Sequence, residues 1–274
     1  MRKSLLALGV VAAMSSTAMA ADYSDGDIHK NDYKWLQFNL MGAFNEKGPG
    51  SDSTHDYLEM EFGGRSGIFD LYGYIDYFNI TGDSDSDKSG SDKLFMKFSP
   101  RMSLDAATGK DLSFGPVQEL YIATENIFYG GTTEAQYKIG VGSDVIAPWL
   151  GKIGLNLYAN YDNSRKDWNG YQLSTNWFKP FYHFDNGSFI SYQGYLDFQF
   201  DMKEEYSQSS TGTAMFNGIY WHSDRFAVGY GLKLFKDVYG FEDGTNRPWP
   251  DANGNFPENE SSGIGHYVSV TYKF

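Results

Sequence analysis

Glu59 and Glu61, then Asp70, Tyr72, Tyr74, Asp76 and Phe78, then Phe95, Lys97 and Arg101 form rows of acids, rings and cations at even spacing. Glu119, Tyr121 and Glu125 repeat the pattern, and Tyr158 adds another ring. Even spacing puts side chains on one side of an extended strand. Such a row binds: its rings stack on a flat solute, and its carboxylates accept hydrogen bonds from hydroxyl groups. Bond breaking would need a nucleophile held by a base. His29, His55, His183, His222 and His266 stand in no nucleophile motif, and His222 beside Ser223 is adjacency at a turn, so a barrel hydrolase finds no catalytic residue here. Asp83, Asp85 and Asp87 imitate the start of a calcium loop, but Lys88 takes its glycine position and Leu94 its bidentate position. Neither metal nor cofactor is expected.

The elements that must carry these rows are strands. Opposite Asp70, Tyr72, Tyr74, Asp76 and Phe78 lie Phe69, Leu71, Gly73, Ile75 and Tyr77. Opposite Phe95, Lys97, Ser99, Arg101 and Ser103 lie Leu94, Met96, Phe98, Met102 and Leu104. Charges keep to one side, as a membrane barrel requires, because a lysine or arginine facing lipid at mid-depth costs ~2 to 4 kcal/mol. Alternation recurs in about twelve segments separated by turn residues. They are 35–44, 57–63, 69–78, 94–104, 112–126, 133–142, 153–161, 168–178, 188–200, 213–222, 226–235 and 264–274. Pro100 lacks a ladder donor and predicts a bulge. The expected fold is all-β, a closed antiparallel transmembrane barrel.

Both ends of the chain agree. Residues 264–274, I-G-H-Y-V-S-V-T-Y-K-F, alternate down to an aromatic terminus. A soluble β-sandwich would alternate too, but its apolar faces would point inward and would not call for that terminus. Arg2 and Lys3 precede an apolar stretch, 5–14, and Ala18-Met19-Ala20 supplies a cleavage pattern, so 1–20 reads as an export signal. That stretch is too short to cross ~30 Å of hydrocarbon as a helix. The chain has no cysteine, so closure by backbone hydrogen bonds rather than disulfides must hold it. Its net charge of -13 would repel phosphates, which argues against a nucleic-acid partner. Connections 82–92 and 236–263 are long and acidic and are expected outside the cell; 64–67 and 223–225 are tight and expected in the periplasm. The polar segment 21–34 reads either as a plug or as a disordered leader to a barrel spanning 35–274.

Several segments resemble one family. L-F-M-K-F-S-P-R-M-S-L-D at 94–105, D-L-S-F-G-P at 111–116, Phe69-Asp70-Leu71-Tyr72-Gly73-Tyr74, 155–161, and Trp168-Asn169-Gly170-Tyr171 with Phe178 and Pro180 are similar to the nucleoside-specific channel-forming proteins of bacterial outer membranes. The similarity extends to the vibrio branch of that family, the outer-membrane K proteins, known as bacteriophage receptors. It implies a monomeric twelve-stranded barrel whose narrow lumen admits nucleosides and deoxynucleosides, without a cofactor. Strand number alone also points to a slot, because eight strands enclose only side chains and 16 to 18 a wide channel. The rows named above become candidate lining. Stacking on a base contributes ~1 to 3 kcal/mol in favourable sites, while the acids would disfavour phosphorylated solutes. Each lining residue has a second reading as lumen filler. Expected partners are nucleosides or other small polar solutes, outer-membrane lipid and lipopolysaccharide, and a phage at an outer loop carrying Trp249 and Phe256 beside Pro248, Pro250 and Pro257. A general pore, or a receptor or adhesin without transport, is the alternative.

Overall fold

A computed structural model describes residues 21–23, 25–48, 52–90, 92–130, 135–250 and 254–274; the expected export signal lies outside them. The strands are β1 (Tyr33–Lys47), β2 (Asp52–Ser66), β3 (Phe69–Phe78), β4 (Leu94–Phe98), β5 (Arg101–Ser103), β6 (Val117–Tyr129), β7 (Ala135–Ala147), β8 (Gly151–Asp162), β9 (Asp167–His183), β10 (Phe189–Phe200), β11 (Gly212–His222), β12 (Phe226–Lys236) and β13 (Gly263–Lys273). Each pairs antiparallel with its neighbours, and β1 pairs β13 from Gln37 opposite Lys273 to Phe44 opposite His266. The sheet is therefore closed. Because β4 and β5 share one position between β3 and β6, it is a twelve-position barrel. Closure satisfies the ladder on every strand, which hydrocarbon demands because no water is there to replace a missing partner.

Alternation sorts the faces. Leu40, Ile139, Val141, Leu157, Ile219, Val228 and Val270 stand exposed on the outside, the apolar band that lipid would cover. Asn39, Arg65, Glu119, Glu125, Lys138 and Asp144 are buried inside.

Three details differ from expectation. Pro100 makes no bulge: Tyr74 faces Lys97 and Asp70 faces Arg101, so both strands advance four residues across the break. The ladder is interrupted instead, with Ser99 N–H donating to the Tyr72 carbonyl and Thr124 N–H to that of Pro100. A strand does not begin at 112. Ser103 caps a short helix, α1 (Leu104–Thr108), its hydroxyl accepting from Ala106 N–H at 3.0 Å, and Gly109 ends it at φ 65°. Buried Asp105 then accepts from Leu112 N–H (2.9 Å) and Leu120 N–H (3.1 Å), which folds 112–116 back against β6. Finally, Arg65 belongs to β2 and not to a turn, because its guanidinium is needed inside the barrel.

The two ends of the barrel differ. Short links 67–68, 148–150 and 223–225 share one end with the start of β1 and the end of β13, and the described residues of 79–93, 201–211 and 237–262 crown the other. The crown is tied together. Asp243 accepts from Ser261 N–H (2.9 Å) and Ser262 N–H (3.0 Å), and the Asn259 amide donates to Gln208 of the adjoining loop at 2.7 Å. In the acidic loop, Asp87 accepts from Thr54 N–H at 2.6 Å, which uses one of the carboxylates of the calcium-like run to dock the loop on β2.

Candidate channel lining

The ladder turns the sequence rows into a wall. Glu59 lies opposite Asp76, Glu61 opposite Tyr74, Asp76 opposite Phe95 and Tyr74 opposite Lys97. Farther round, Glu119 faces Asp144, Tyr121 faces Gly142, Glu125 faces Lys138, and Tyr158 lies opposite Gly140 and Gln172. Tyr72 lies opposite Gly63, Phe78 opposite Tyr57 and Asp70 opposite Arg101, so every candidate lining residue projects from the inner face. They do not form one site; they divide into a network at the turn end and two unlike sides above it.

At the turn end sits a paired network. Arg65 donates to Glu119 (2.9 Å), Asp70 (3.3 Å) and the Tyr121 hydroxyl (2.6 Å). Arg101 donates to Asp70 (2.8 Å) and Asp144 (2.9 Å) while its guanidinium lies 4.0 Å from the Tyr121 ring centroid. The leader reaches this network. Tyr23, buried, accepts from Arg65 at 2.7 Å and donates to Glu119 at 3.2 Å; burial pushes its phenol up to about 12. Behind Tyr23, Lys30 bridges Asp22 (2.6 Å) and Asp25 (3.0 Å). Asp32 accepts from Gly67 N–H at 2.8 Å and pairs with His29 at 2.8 Å. Tyr23 thus ties the leader to the inner wall at the turn end.

At mid-height Lys97 pairs with Glu125 (2.8 Å) and Asp197 (3.4 Å), and Lys138 also pairs with Glu125. Gln172 donates to Glu125 (3.1 Å) and Ser174 donates to Asp197 (2.6 Å). Glu125, Lys138, Tyr158, Gln172 and Ser174 are all buried, so the β6–β9 side of the lumen is filled.

The β2–β3 side is not. Glu59, Glu61, Tyr72 and Tyr74 keep water-accessible surface inside the barrel. Asn39 donates to Glu59 at 2.6 Å, Gln37 to Glu61 at 2.5 Å and Tyr72 to Glu61 at 2.9 Å. Among the described residues no lysine or arginine forms an ion pair with Glu59, Glu61 or Asp76, whereas Arg65, Arg101, Lys97, Lys138, Lys152 and Lys233 all have acidic partners. Rings flank the acids: Tyr74 lies 5.8 Å from Phe95, and Tyr195 stacks on Phe216 at 6.1 Å. Glycine makes the facing wall flat. A Cβ on Gly229 or Gly231 would lie 2.2 Å from the rings of Tyr220 and Phe216, so those rings lie directly over bare β12 backbone.

Sequence reasoning missed Arg65, Lys138, Asp144, Gln172 and Asp197. Lys138, Gln172 and Asp197 sit inside strands it did expect, at positions the alternation assigns inward, so the signal was present. His222 is buried and bonded to Ser191 at 2.9 Å, stacked on Phe189 at 4.6 Å; this is packing at the barrel's turn end. Among the described residues no group of histidine, aspartate and glutamate gathers as a metal site.

The family model for the nucleoside-specific channel-forming protein Tsx matches residues 30–274. The chain belongs to that family. It is 69% identical to the outer membrane protein OmpK of Vibrio parahaemolyticus over the whole of both chains. It is 29% identical to the nucleoside-specific channel-forming protein Tsx of Salmonella typhimurium, again over the whole of both. The NanC porin structure superposes with a TM-score of 0.48 at 9% identity, covering 86% of this chain and all of that one. Family members are outer-membrane proteins, and a closed barrel with an apolar outer band is suited to that membrane.

Proposed function

We infer that this chain is a passive outer-membrane channel for nucleosides. The observation that carries the reading is the half-open lumen: accessible Glu59, Glu61, Tyr72 and Tyr74 face stacked rings, while the opposite side is packed shut. A nucleoside has a flat base to stack on rings and ribose hydroxyls to donate to carboxylates. The uncompensated acids repel its phosphorylated forms. Binding must stay weak, since a tightly held solute would not leave. Planar-bilayer conductance with added adenosine tests this: adenosine reduces a small single-channel current, and adenosine monophosphate does so less. Indifference to both would make the barrel a general pore or a receptor only.

A second role, attachment of a bacteriophage, is favoured by the crown. Trp249 is 39% and Phe256 is 53% exposed, on a loop pinned by Asn259 and Asp243. Exposed rings such as these bind a partner with little loss of side-chain freedom. Asn246 and Glu258 form a bridge where this loop leaves the crown, which makes them the anchor points for replacing 247–257 by a short turn. That replacement abolishes phage adsorption and leaves conductance intact; unchanged adsorption would remove the role from this loop.

A further inference from the structure

We propose that Lys97 is a movable bar across the lumen and sets the size of solute that passes. The inference rests on reading the barrel as a solute channel. Lys97 stands on β4 and Asp197 on β10; four strands separate them one way round the barrel and six the other. Contact between them at 3.4 Å is therefore a chord close to a diameter, with the filled β6–β9 wall on one side and the acidic, ring-lined space on the other.

The two ends of the chord are built differently. Lys97 meets Glu125 at 2.8 Å, the length of a good charge-assisted bond, and Asp197 only at 3.4 Å. Glu125 is buried and shared with Lys138 and Gln172, whereas the side chains of Lys97 and Asp197 are 16% and 23% exposed, so water reaches the longer contact. Breaking it orphans neither partner. Asp197 keeps the Ser174 hydroxyl at 2.6 Å, and Lys97 keeps Glu125. A four-carbon stem lets the ammonium turn about that anchor. A passing hydroxyl-rich solute takes the place of Asp197 as acceptor, so the bar yields to solutes that can hydrogen-bond and stays closed to bulkier ones. Lys97, Lys138, Glu125 and Asp197 together carry no net charge, so the bar acts by position and hydrogen bonding rather than by a field.

The test is Lys97→Met beside Lys97→Arg and Asp197→Asn, all checked for folding by heat-modifiable gel mobility, in planar bilayers and in liposome swelling with adenosine and a neutral trisaccharide. Lys97→Met removes the bar: conductance rises and the trisaccharide, excluded by the original chain, enters. Asp197→Asn raises conductance in the same direction, and Lys97→Arg restores exclusion. A folded Lys97→Met barrel with unchanged conductance and unchanged trisaccharide exclusion overturns the proposal, as does a folded Lys97→Arg barrel as leaky as Lys97→Met. The outcomes separate the two readings. Adenosine block of the original chain with an unaltered Lys97→Met barrel sinks the bar alone; a leaky Lys97→Met barrel from a chain indifferent to adenosine sinks nucleoside preference alone.

Discussion

Two walls of one lumen follow opposite rules. On the β6–β9 wall Glu119, Glu125, Lys138 and Asp144 are buried, and each carboxylate has a cation: Arg65, Lys97 with Lys138, and Arg101 with Lys152. On the β2–β3 wall Glu59 and Glu61 keep water and rely on amide and phenol donors alone. The difference follows from desolvation. A charge removed from water needs a partner of opposite sign, while one that water still reaches does not. Above the turn-end network, ion pairing therefore accompanies the packed β6–β9 side, and the wetted Glu59 and Glu61 mark the side left free for solutes, with Asp76 beside them buried and without a cation.

The sharpest way to break this contrast is Glu125→Ala. It leaves Lys138 buried without its carboxylate, and breaking a buried pair on one side costs ~3 to 5 kcal/mol. Thermal unfolding in detergent reads this as a clear fall in midpoint; an unmoved midpoint would show that the packed wall is wet. Tyr23→Phe comes next. It removes one hydrogen bond to Glu119 and an acceptor from Arg65, a loss of about 0.5 to 1.5 kcal/mol at the leader, and it raises conductance if the leader obstructs the turn end. Equal conductance would leave Tyr23 a strut outside the path.

The paired change Glu59→Gln with Glu61→Gln sharpens the other side. Stability shifts by no more than about 0.5 kcal/mol, because glutamine still offers a carbonyl to Gln37 and Asn39. Cation preference, read as reversal potential in a salt gradient, nevertheless falls together with adenosine block. If selectivity stays and the fold weakens, the assignment of the two walls is reversed.

The smallest effect concerns pH at the leader. The hydrogen bond with Asp32 raises His29, and the bonds from His29 and Gly67 N–H lower Asp32. The Asp32 contribution is present above its ordinary value and lost as pH falls through the lowered one. That of His29 is present below its ordinary value and lost as pH rises through the raised one. The clamp is complete between roughly pH 4 and 6.5. Hydrogen exchange of 25–32, corrected for its intrinsic pH dependence, is accordingly slower at pH 5.5 than at pH 8.5; equal protection would show that the clamp holds nothing.

Much of the barrel is legible in the sequence. Strand β3 spans 69–78 as its alternation states, and the faces of Asp70, Tyr72, Tyr74 and Asp76 follow from it. Period-two patterning is local, and lipid penalises every misplaced charge, so each strand announces its own inside. The segment 112–116 misled because it alternates like a strand, yet Asp105 claims the backbone donors of Leu112 and Leu120. Arg65 misled because a tight-turn composition hid a side chain that belongs to the network of Glu119 and Tyr121.

What the sequence determined by itself is therefore the sorting of faces, the strand set and, through them, a closed barrel in a membrane. Tertiary structure alone decided who meets whom across the lumen: Lys97 with Asp197, and Tyr23 with Arg65 and Glu119. Those partners lie a hundred residues apart in the first case and 42 and 96 in the second, and only ladder register and closure bring them to one height. Alternation tells a side chain which way to point, and the circumference of the closed sheet tells it what it will find there.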